Sequence, residues 1–312
     1  MSKEILVVGD VMLDGYIKGD SLRLSPEAPV PVVSVNEEFY NLGGAANVAQ
    51  NISILQTDCA VLGIIGNDFG GDKINHLFAA SNIQNHCKVP DEKMLTTVKT
   101  RVVSGHQQIV RFDKEQIYKN TDFLVGEIKA LLQKQDNDFI VVSDYAKGVC
   151  SPEVMIEILK QPAKILVDPK GNNWEKYRGA FLVKPNLKEL SVIAGETIPN
   201  TDEAVAKHGK VILEQYGFTY LLVTRGNKGM TLIAKDTVSH HQVDQIRVYD
   251  VSGAGDTVVA VLAVLLNEGH TINYAVSAAN EAGRYVVAQP FTYAISKLEL
   301  DTILNDGGFN KR

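Results

Sequence analysis

Short, continuously apolar runs recur along the chain, and they constrain its fold more than any other feature. They are ILVVG at 5–9, AVLGIIG at 60–66, FIVVSD at 139–144, KILVDP at 164–169, FLVKPN at 181–186 and YLLVTRG at 220–226. Runs without polar alternation are typical of parallel strands that are covered by helices on both faces. Helical patterns lie between several of them, at 47–55, 122–135 and 153–161. This alternation predicts right-handed strand–helix–strand units and a doubly wound α/β sheet.

Two segments depart from that pattern. Residues 11–35 contain three prolines among alternating apolar residues, and residues 96–112 alternate in the same way, with Ser104 and Gly105 as a turn. Alternation with proline and charge is typical of strands in a small sheet with protected edges. We therefore expect a single domain over residues 1–312, with these two segments forming a β-sheet lid over a cleft.

Composition excludes several classes of function. The 312 residues carry a formal net charge of −6, with 45% hydrophobic and 22% charged residues. This balance is typical of soluble globular proteins and argues against nucleic acid or an anionic membrane as a partner. The start, MSKEILVVGD, lacks the apolar core of a signal peptide, and no run reaches the ~18 apolar residues of a membrane helix. The three cysteines lack metal-binding spacing. We expect a cytoplasmic protein.

Polar or glycine residues end several of the apolar runs. The strand ends read Gly9-Asp10, Ser143-Asp144, Asp168-Pro169-Lys170, Pro185-Asn186 and Arg225-Gly226. In open α/β sheets, ligands bind beyond the carboxyl ends of the strands. Each pair alone is explained equally well as an ordinary turn. Their recurrence at successive strand ends favours a binding site at this edge of the sheet.

The stretch DVSGAGDTV at 250–258 lies directly before an apolar, helix-like segment. Its glycines allow a sharp turn and a close approach to a ligand. The first amides of the helix have no partner within the helix and carry a positive partial charge, so they can bind an anion. Asp256 has two interpretations here: an acid that stabilises the helix start, or a general base beside a bound phosphate.

Two other motifs combine glycine with polar residues. In GGAANVAQN at 43–51, two glycines precede a helix on which Asn47 and Asn51 share one face. This start suits either sugar hydroxyls or simple helix capping with close backbone packing. TRGNKGM at 224–230 suits either a hairpin or backbone contact with phosphate.

KPNLKEL at 184–190 follows a buried strand. Asn186 can cap the next helix, and Glu189 at the third position beyond it completes a capping-box pattern. Alternatively, Glu189 contacts a water molecule of a magnesium shell, since Mg²⁺ keeps several of its waters in proteins.

Together these four motifs resemble, in identity and in order, those of the ribokinase-like (PfkB) carbohydrate kinases. The resemblance extends from GDVMLD at 9–14 to SKLEL at 296–300, and the GAGD run is its most specific part. It implies a three-layer αβα sandwich with a mostly parallel central sheet and a small β lid. The implied reaction is the ATP-dependent phosphorylation of a sugar hydroxyl.

Further segments are similar to those of bacterial kinases for D-glycero-β-D-manno-heptose 7-phosphate. They are LSPEAPVPVV at 24–33, HQQIVRFD at 106–113, SDYAKG at 143–148 and VDPKG at 167–171. The similarity implies phosphorylation of the anomeric hydroxyl to the 1,7-bisphosphate, toward ADP-heptose and the lipopolysaccharide core. Many such kinases are fused to a nucleotidyltransferase, so the chain is either a free-standing kinase or a kinase half. The alternatives are another sugar kinase of the family and a catalytically silent sugar-phosphate sensor.

The resemblance also assigns the chemistry. Asp256 accepts the proton of the sugar hydroxyl, and the amides of Gly253, Ala254 and Gly255 hold the transferring phosphoryl group. Asn186 and Glu189 face the ATP phosphates and Mg²⁺, with Glu189 acting through water. The remaining nucleotide contacts fall on Thr224 and Gly226 at the phosphates and on Asn280 near the adenine.

On the sugar side, the positions that match the family are Asp14, Gly43, Gly44 and Asn47. The candidates for binding the substrate phosphate are Arg101, Arg111 and Lys170, with Asp144 and Lys147 as further substrate-binding candidates. Asp250 is either part of a monovalent-cation site, for K⁺, or a structural turn acid. The resemblance further implies a homodimer formed through the lid, whose closure excludes water.

Overall fold

The computed structural model describes residues 3–105, 107–134, 137–244 and 246–306. Its strands are β1 (Ile5–Gly9), β2 (Val11–Leu24), β3 (Pro31–Gly44), β4 (Cys59–Leu62), β5 (Gln84–Asn85), β6 (Thr97–Ser104), β7 (Gln107–Lys114), β8 (Phe139–Ser143), β9 (Lys164–Asp168), β10 (Leu182–Val183), β11 (Tyr220–Thr224), β12 (Met230–Ile233) and β13 (Val238–His241). Its helices are α1 (Ala45–Ile54), α2 (Phe69–Ala80), α3 (Thr121–Leu132), α4 (Pro152–Leu159), α5 (Leu187–Ala194), α6 (Asp202–Tyr216), α7 (Ala254–Asn267), α8 (Ile272–Val287) and α9 (Lys297–Asp306).

The central sheet has the order β13-β12-β11-β10-β9-β8-β1-β4-β5. Its strands from β5 to β11 are parallel, and β12 and β13 add an antiparallel edge. Side chains of one strand alternate between two cores, so that Val7 lies with α1, α7 and α8 whereas Leu6 lies with α3, α4 and α6. The predicted three-layer αβα sandwich is confirmed. No helix in the described ranges is long and apolar enough to cross a membrane.

The apolar runs form strands of this sheet, as predicted, but not over their full lengths. The run at 181–186 forms only Leu182–Val183, because Pro185 has no amide hydrogen to donate to the ladder. The predicted helices at 47–55, 122–135 and 153–161 correspond to α1, α3 and α4. Gln135, at the end of the second prediction, lies outside the described residues.

The lid is a separate sheet with the order β3-β2-β6-β7. Strand β2 pairs antiparallel with β3 and parallel with β6, and β6 pairs antiparallel with β7. Strand β3 runs on to Gly44, nine residues beyond the predicted lid boundary at 35, through the polar, half-exposed stretch NEEFYNLGG. The turn at Ser104 and Gly105 is present, and His106 lies outside the described residues. Asp10 alone separates β1 of the central sheet from β2 of the lid.

Candidate active site

Helix α7 begins over the carboxyl edge of the central sheet. Its N-cap is Gly253, at φ 78° and ψ −5°, a left-handed conformation that favours glycine. A Cβ at this position would lie 2.9 Å from Nδ2 of Asn47. A Cβ at Gly255 would lie 3.4 Å from Nζ of Lys184 and 3.7 Å from Oδ2 of Asp168. Gly255, in the first turn of the helix, therefore lies beside the buried Lys184 ammonium group, and the amide of Ala254 donates to the main-chain oxygen of Val251 at 3.3 Å.

Asp256 lies in this first turn, with 4% of its surface exposed. Its Oδ2 accepts a 2.8 Å hydrogen bond from Asn47, and its Oδ1 accepts one of 2.7 Å from the Tyr145 hydroxyl. Burial raises the pKa of Asp256 to about 7, helped by the Asp168 carboxylate and opposed by Asn47, Tyr145 and Lys184. A carboxylate with a pKa near neutrality is well matched to general-base catalysis.

A polar network holds Asn47 in place. The Asn51 amide donates to the main-chain oxygen of Asn47 at 2.9 Å and to its Oδ1 at 3.2 Å, and Thr257 donates to Oδ1 of Asn51 at 3.1 Å. With its Oδ1 accepting from Asn51, the Asn47 amide presents its NH₂ group to Asp256. Both asparagines are buried on the same face of α1, as their spacing predicts.

The proposed sugar-binding residues of the lid come together beside this network. Arg101 forms a 2.7 Å ion pair with Oδ1 of Asp14. A Cβ at Gly43 would lie 2.8 Å from Oδ2 of Asp14, and one at Gly44 (φ 55°) would lie 2.5 Å from the main-chain oxygen of Asp10. Gly43 therefore allows the end of β3 to pass close to the Asp14 side chain, and Gly44 allows it to pass close to the main chain at Asp10.

Thr292 connects this part of the lid to the start of α7. Its hydroxyl lies 2.9 Å from that of Tyr16 and 3.4 Å from Oδ2 of Asp14. Its methyl group lies 2.9 Å from the position of a Cβ on Gly253. No sequence pattern points to Thr292, because its contacts come from elements that are far apart in the chain.

Three other substrate-binding candidates are bound to protein groups. Arg111 lies opposite Arg101 in the β6–β7 register, but its guanidinium donates two hydrogen bonds to the Asp113 carboxylate, at 2.8 and 2.9 Å. The remaining two lie in the SDYAKG segment. Asp144 accepts hydrogen bonds from Lys176, Tyr177 and the amide of Ala146, and Lys147 forms a 2.7 Å ion pair with Glu115.

The candidates for the nucleotide phosphates form a second group, around α5. Asn186 and Glu189 form the predicted capping box, with hydrogen bonds of 2.9 and 3.0 Å. Lys170 donates to Oε1 of Glu189 at 2.8 Å, which places it in this group rather than with the lid arginines. Thr224 forms an isolated β-bridge with Asn186, and Gly226 begins the tight turn of the β11–β12 hairpin at φ 61°.

The last two candidates are Asn280, in α8, and Asp250, in the segment before α7. Asn280, buried in α8, donates from Nδ2 to the main-chain oxygens of His241 and Gln242 at 3.2 and 2.9 Å. It thereby fixes the chain just after β13. Oδ1 of Asp250 accepts a 2.8 Å hydrogen bond from the amide of Ser252, which is the contact of a structural turn acid.

Comparison with known families supplies the next observation. The model of the pfkB family carbohydrate kinases matches residues 2–298. The chain belongs to this family. It is a carbohydrate kinase, an enzyme that transfers a phosphoryl group from ATP to a sugar, as the resemblance of its motifs implied.

Curated relatives of this PfkB kinase carry the name bifunctional protein HldE. That of Haemophilus ducreyi is 38% identical over 307 residues, and that of Hydrogenovibrio crunogenus is 42% identical over 312 residues. Each alignment covers 97% of this chain but only 64% and 63% of the relative. The chain therefore spans less than two thirds of the length of these proteins.

Solved structures confirm the fold of the family. Phosphofructokinase-2 from Escherichia coli superposes with a TM-score of 0.82 at 19% identity, covering 98% of this chain and 99% of that one. Ribokinase from Thermotoga maritima superposes with a TM-score of 0.75 at 21% identity, covering 97% and 99%. At these identities the likeness concerns the ribokinase-like fold alone.

Sequence reasoning on this PfkB kinase missed Tyr145 and Lys184, which stood inside quoted motifs, as site candidates. Asp10 and Asp168 were candidates only by their position at strand ends, with no role assigned. Asp168 and Lys184 form a 3.0 Å ion pair in which 4% of the lysine side chain is exposed. Strand-end position was the available signal, but it does not tell which way a side chain points.

Proposed function

We propose that this kinase phosphorylates the anomeric hydroxyl of D-glycero-β-D-manno-heptose 7-phosphate, giving the 1,7-bisphosphate toward ADP-heptose and the lipopolysaccharide core. The observation that carries phosphoryl transfer is the buried Asp256 carboxylate in the first turn of α7, with the amides of 253–255 and Lys184 beside it. Asp256 takes the proton of the acceptor hydroxyl as the new bond to phosphorus forms.

Two observations support the heptose phosphate as acceptor. Segments that resemble the heptose kinases contribute side chains around the base, since SDYAKG supplies Tyr145 and VDPKG supplies Asp168. Relatives named bifunctional protein HldE match 97% of the chain. The generic motifs of the family support a sugar kinase without distinguishing its acceptor.

Charge neutralisation is the main demand of phosphoryl transfer, and the proposed site meets it with fixed groups. The amides of Gly253, Ala254 and Gly255 are proposed to donate to the oxygens of the transferring group, for which the Ala254 amide must exchange its 3.3 Å hydrogen bond to the main-chain oxygen of Val251. Lys184 supplies a full positive charge from the same side, since its Nζ lies 3.4 Å from a Cβ position on Gly255. Asp168 holds this ammonium in place at 3.0 Å, so little reorganisation is needed when the phosphoryl group arrives.

ATP is proposed to lie along α5 and the β11–β12 hairpin. Asn186, Glu189, Thr224 and Gly226 contact its phosphates, and Asn280 lies by the adenine. Among the described residues, no group of three or more histidine, cysteine or acidic side chains could hold a metal ion. The single carboxylate of Glu189, already bonded to Lys170, fits a Mg²⁺ ion that is held mainly by nucleotide phosphates and water. Such an ion neutralises phosphate charge when bound.

The sugar is proposed to bind between the lid and α1, at Asp14, Gly43, Gly44 and Asn47. Arg101 and Arg111 are neighbours across β6 and β7, which suits a shared phosphate ligand on the lid. Lys170, Asp144 and Lys147 stay candidates for substrate binding. Their ion pairs with Glu189, Lys176 and Glu115 must be shared or exchanged for that role.

Asp250 is retained as a proposed ligand of a monovalent cation. Oδ1 of Asp250 contacts a turn amide, and its charge also helps to raise the pKa values of Arg101 and Tyr16. A structure of Escherichia coli phosphofructokinase-2 is described as a complex with potassium. Potassium dependence of turnover distinguishes the two roles, because a turn acid gives none.

The assembly is proposed to be a homodimer formed through the lid. Exposed apolar side chains on the lid include Leu22, Val35 and Phe112, at 92%, 59% and 55% exposure. Burial of such exposed apolar side chains between two copies would favour association. The relatives are named bifunctional and extend beyond the matched part, so we also propose that residues 1–312 form one kinase domain of such a two-function system.

The test is a screen of acceptors with ATP: the heptose 7-phosphate, fructose 6-phosphate and ribose, followed by ³¹P NMR of the product. We expect the highest kcat/KM with the heptose phosphate and a new phosphoryl signal on the anomeric oxygen. Preference for fructose 6-phosphate or ribose would assign another acceptor within the family. Binding of sugar phosphates without turnover of ATP would instead support a sensor.

A further inference from the structure

The proposed reaction gives no role to Tyr145 or Asp10, yet Tyr145 contacts its base and Asp10 contacts the segment that carries Tyr145. We propose that they form a positioning unit for Asp256, in which Asp10 fixes the segment 145–149 and Tyr145 fixes the Asp256 carboxylate in its ionised, proton-accepting form. This inference rests on the proposed role of Asp256 as the general base.

Asp10 is buried, and both of its carboxylate oxygens accept hydrogen bonds from amides of the segment. Asp10 is 2% exposed, and its Oδ2 accepts from the amides of Tyr145 and Lys147 at 2.7 and 3.0 Å. Its Oδ1 accepts from the amide of Val149 at 3.1 Å. One side chain thus binds three amides of a five-residue segment, whose Ala146 has φ 57°, in the left-handed region that a residue with a side chain rarely adopts.

These hydrogen bonds direct the side chains in the segment, and that of Asp144 just before it, to different partners. Asp144 is directed to Lys176 and Tyr177, and Lys147 to Glu115. Tyr145 instead reaches Oδ1 of Asp256 at 2.7 Å. Within the DYAKG motif, the tyrosine rather than the flanking charged residues therefore contacts the base.

A hydroxyl in this position favours the ionised carboxylate, because it donates to the charged form. Burial and Asp256 raise the pKa of Tyr145, so its hydroxyl stays protonated and keeps donating. The other groups that act on Asp256 are the Asp168 carboxylate of β9, the Lys184 ammonium after β10 and the neutral amide of Asn47 on α1. Tyr145, like Asn47 and Lys184, lowers the pKa of Asp256 and so opposes the effect of burial.

The first experiment needs no substrate. The carboxyl ¹³C shift of Asp256, assigned by comparison with Asp256→Asn, is titrated in the intact chain without ligands. We expect a midpoint near 7 in the wild type and one higher by about one pH unit in Tyr145→Phe, the effect of losing one hydrogen bond to a charged group. Tyr118→Phe is the matched control, because the Tyr118 hydroxyl has no hydrogen-bond partner among the described residues.

The second experiment measures kcat/KM against pH with ATP and the acceptor that gives the highest turnover. In Tyr145→Phe we expect a loss of about tenfold at pH 6 that shrinks to within about twofold at pH 9, because a pKa shift of one unit changes the ionised fraction tenfold on the acid limb. Tyr118→Phe should follow the wild type throughout.

The outcomes separate this proposal from the proposed acceptor. An unchanged Asp256 midpoint in Tyr145→Phe, or an equal loss of kcat/KM at every pH, would overturn the positioning role whichever sugar is the substrate. Asp10→Asn tests the role of Asp10. In this variant one carboxylate oxygen is replaced by an NH₂ group, which cannot accept a hydrogen bond from the backbone N–H groups of the segment. We expect an upward shift of the Asp256 midpoint there too; a folded Asp10→Asn variant with a wild-type midpoint would remove Asp10 from the unit.

Discussion

The side-chain amide of Asn47 donates a 2.8 Å hydrogen bond to Oδ2 of Asp256, across a separation of 209 residues in the sequence. The bond joins the first turn of α1 to the first turn of α7. It means that a residue proposed to bind the sugar also takes part in orienting the proposed base. With these proposed roles, one buried network would position both the acceptor hydroxyl and the base.

The sharpest catalytic prediction concerns Asp256→Asn. Removal of the general base should lower kcat by about 10²–10⁴-fold, since this is the usual contribution of such a group. The affinity for ATP, measured by calorimetry, should stay within about twofold, because no nucleotide contact is proposed for Asp256. Asp236→Asn, an exposed change between β12 and β13, is the control and should leave both values unchanged. Wild-type turnover in Asp256→Asn would exclude the base role.

The raised pKa of Asp256 predicts that the stability of the protein depends on pH, and the same two variants test this. The pKa of Asp256 is raised to about 7 from an ordinary 3.8, so the folded protein binds the proton more tightly than the unfolded chain does. The free energy of unfolding of the wild type should therefore fall, relative to Asp256→Asn, as the pH rises from about 4 to about 7, by roughly 4 kcal/mol in total.

Denaturant unfolding at several pH values measures this difference. Asp236→Asn should show no such trend relative to the wild type. A difference between wild type and Asp256→Asn that is flat over the window would contradict the assignment of a buried carboxyl with a raised pKa.

Variants of Lys184 and Asp168 separate the effect of the lysine charge on turnover from its effect on folding stability. Lys184→Met should lower kcat by about 10²–10³-fold, as expected for losing a preorganised group at the transferring phosphoryl. It should also destabilise the protein by up to about 3 kcal/mol, because it leaves the Asp168 carboxylate, of whose side chain 16% is exposed, without its partner. Adding Asp168→Asn should restore most of the stability but not the turnover. Recovery of turnover in the double variant would show that Lys184 acts only through folding.

The lid interface is tested by the oligomeric state. Phe112→Asp places a charge on the exposed apolar surface of the lid and should convert the dimer into monomers in analytical ultracentrifugation. Val211→Asp alters a side chain of similar exposure on α6 and should leave the dimer intact. A monomeric wild type, or a Phe112→Asp dimer, would refute assembly through the lid.

The fold was predictable wherever burial imposes a repeating pattern. Strands covered on both faces are apolar throughout, so β1, β8, β9 and β11 could be located from the sequence alone. The second half of β3 could not be located, because its exposed residues Asn36, Glu37 and Glu38 interrupt the apolar alternation. Strand β10 was overestimated because its apolar run ends at a proline.

The site was predictable for residues whose role depends on local backbone geometry. Gly253 and Asp256 at the start of α7 and the capping box of Asn186 and Glu189 follow from neighbouring residues. Lys184 and Tyr145 were missed because their importance depends on which partners the sheet order brings beside them. The local pattern does not distinguish a metal-binding role of Glu189 from its capping role, since both roles use the same residue types.

The single-residue connection between the central sheet and the lid has a consequence for altering substrate range. Asp10 is both the link between β1 and β2 and the acceptor for the amides of 145–149. A substitution that shifts β2 therefore disturbs the segment that holds the base, so affinity for a new sugar is gained together with a change in acid–base behaviour. Directed evolution toward other acceptors should accordingly begin in β7, the edge strand of the lid, which pairs with β6 and not with β2.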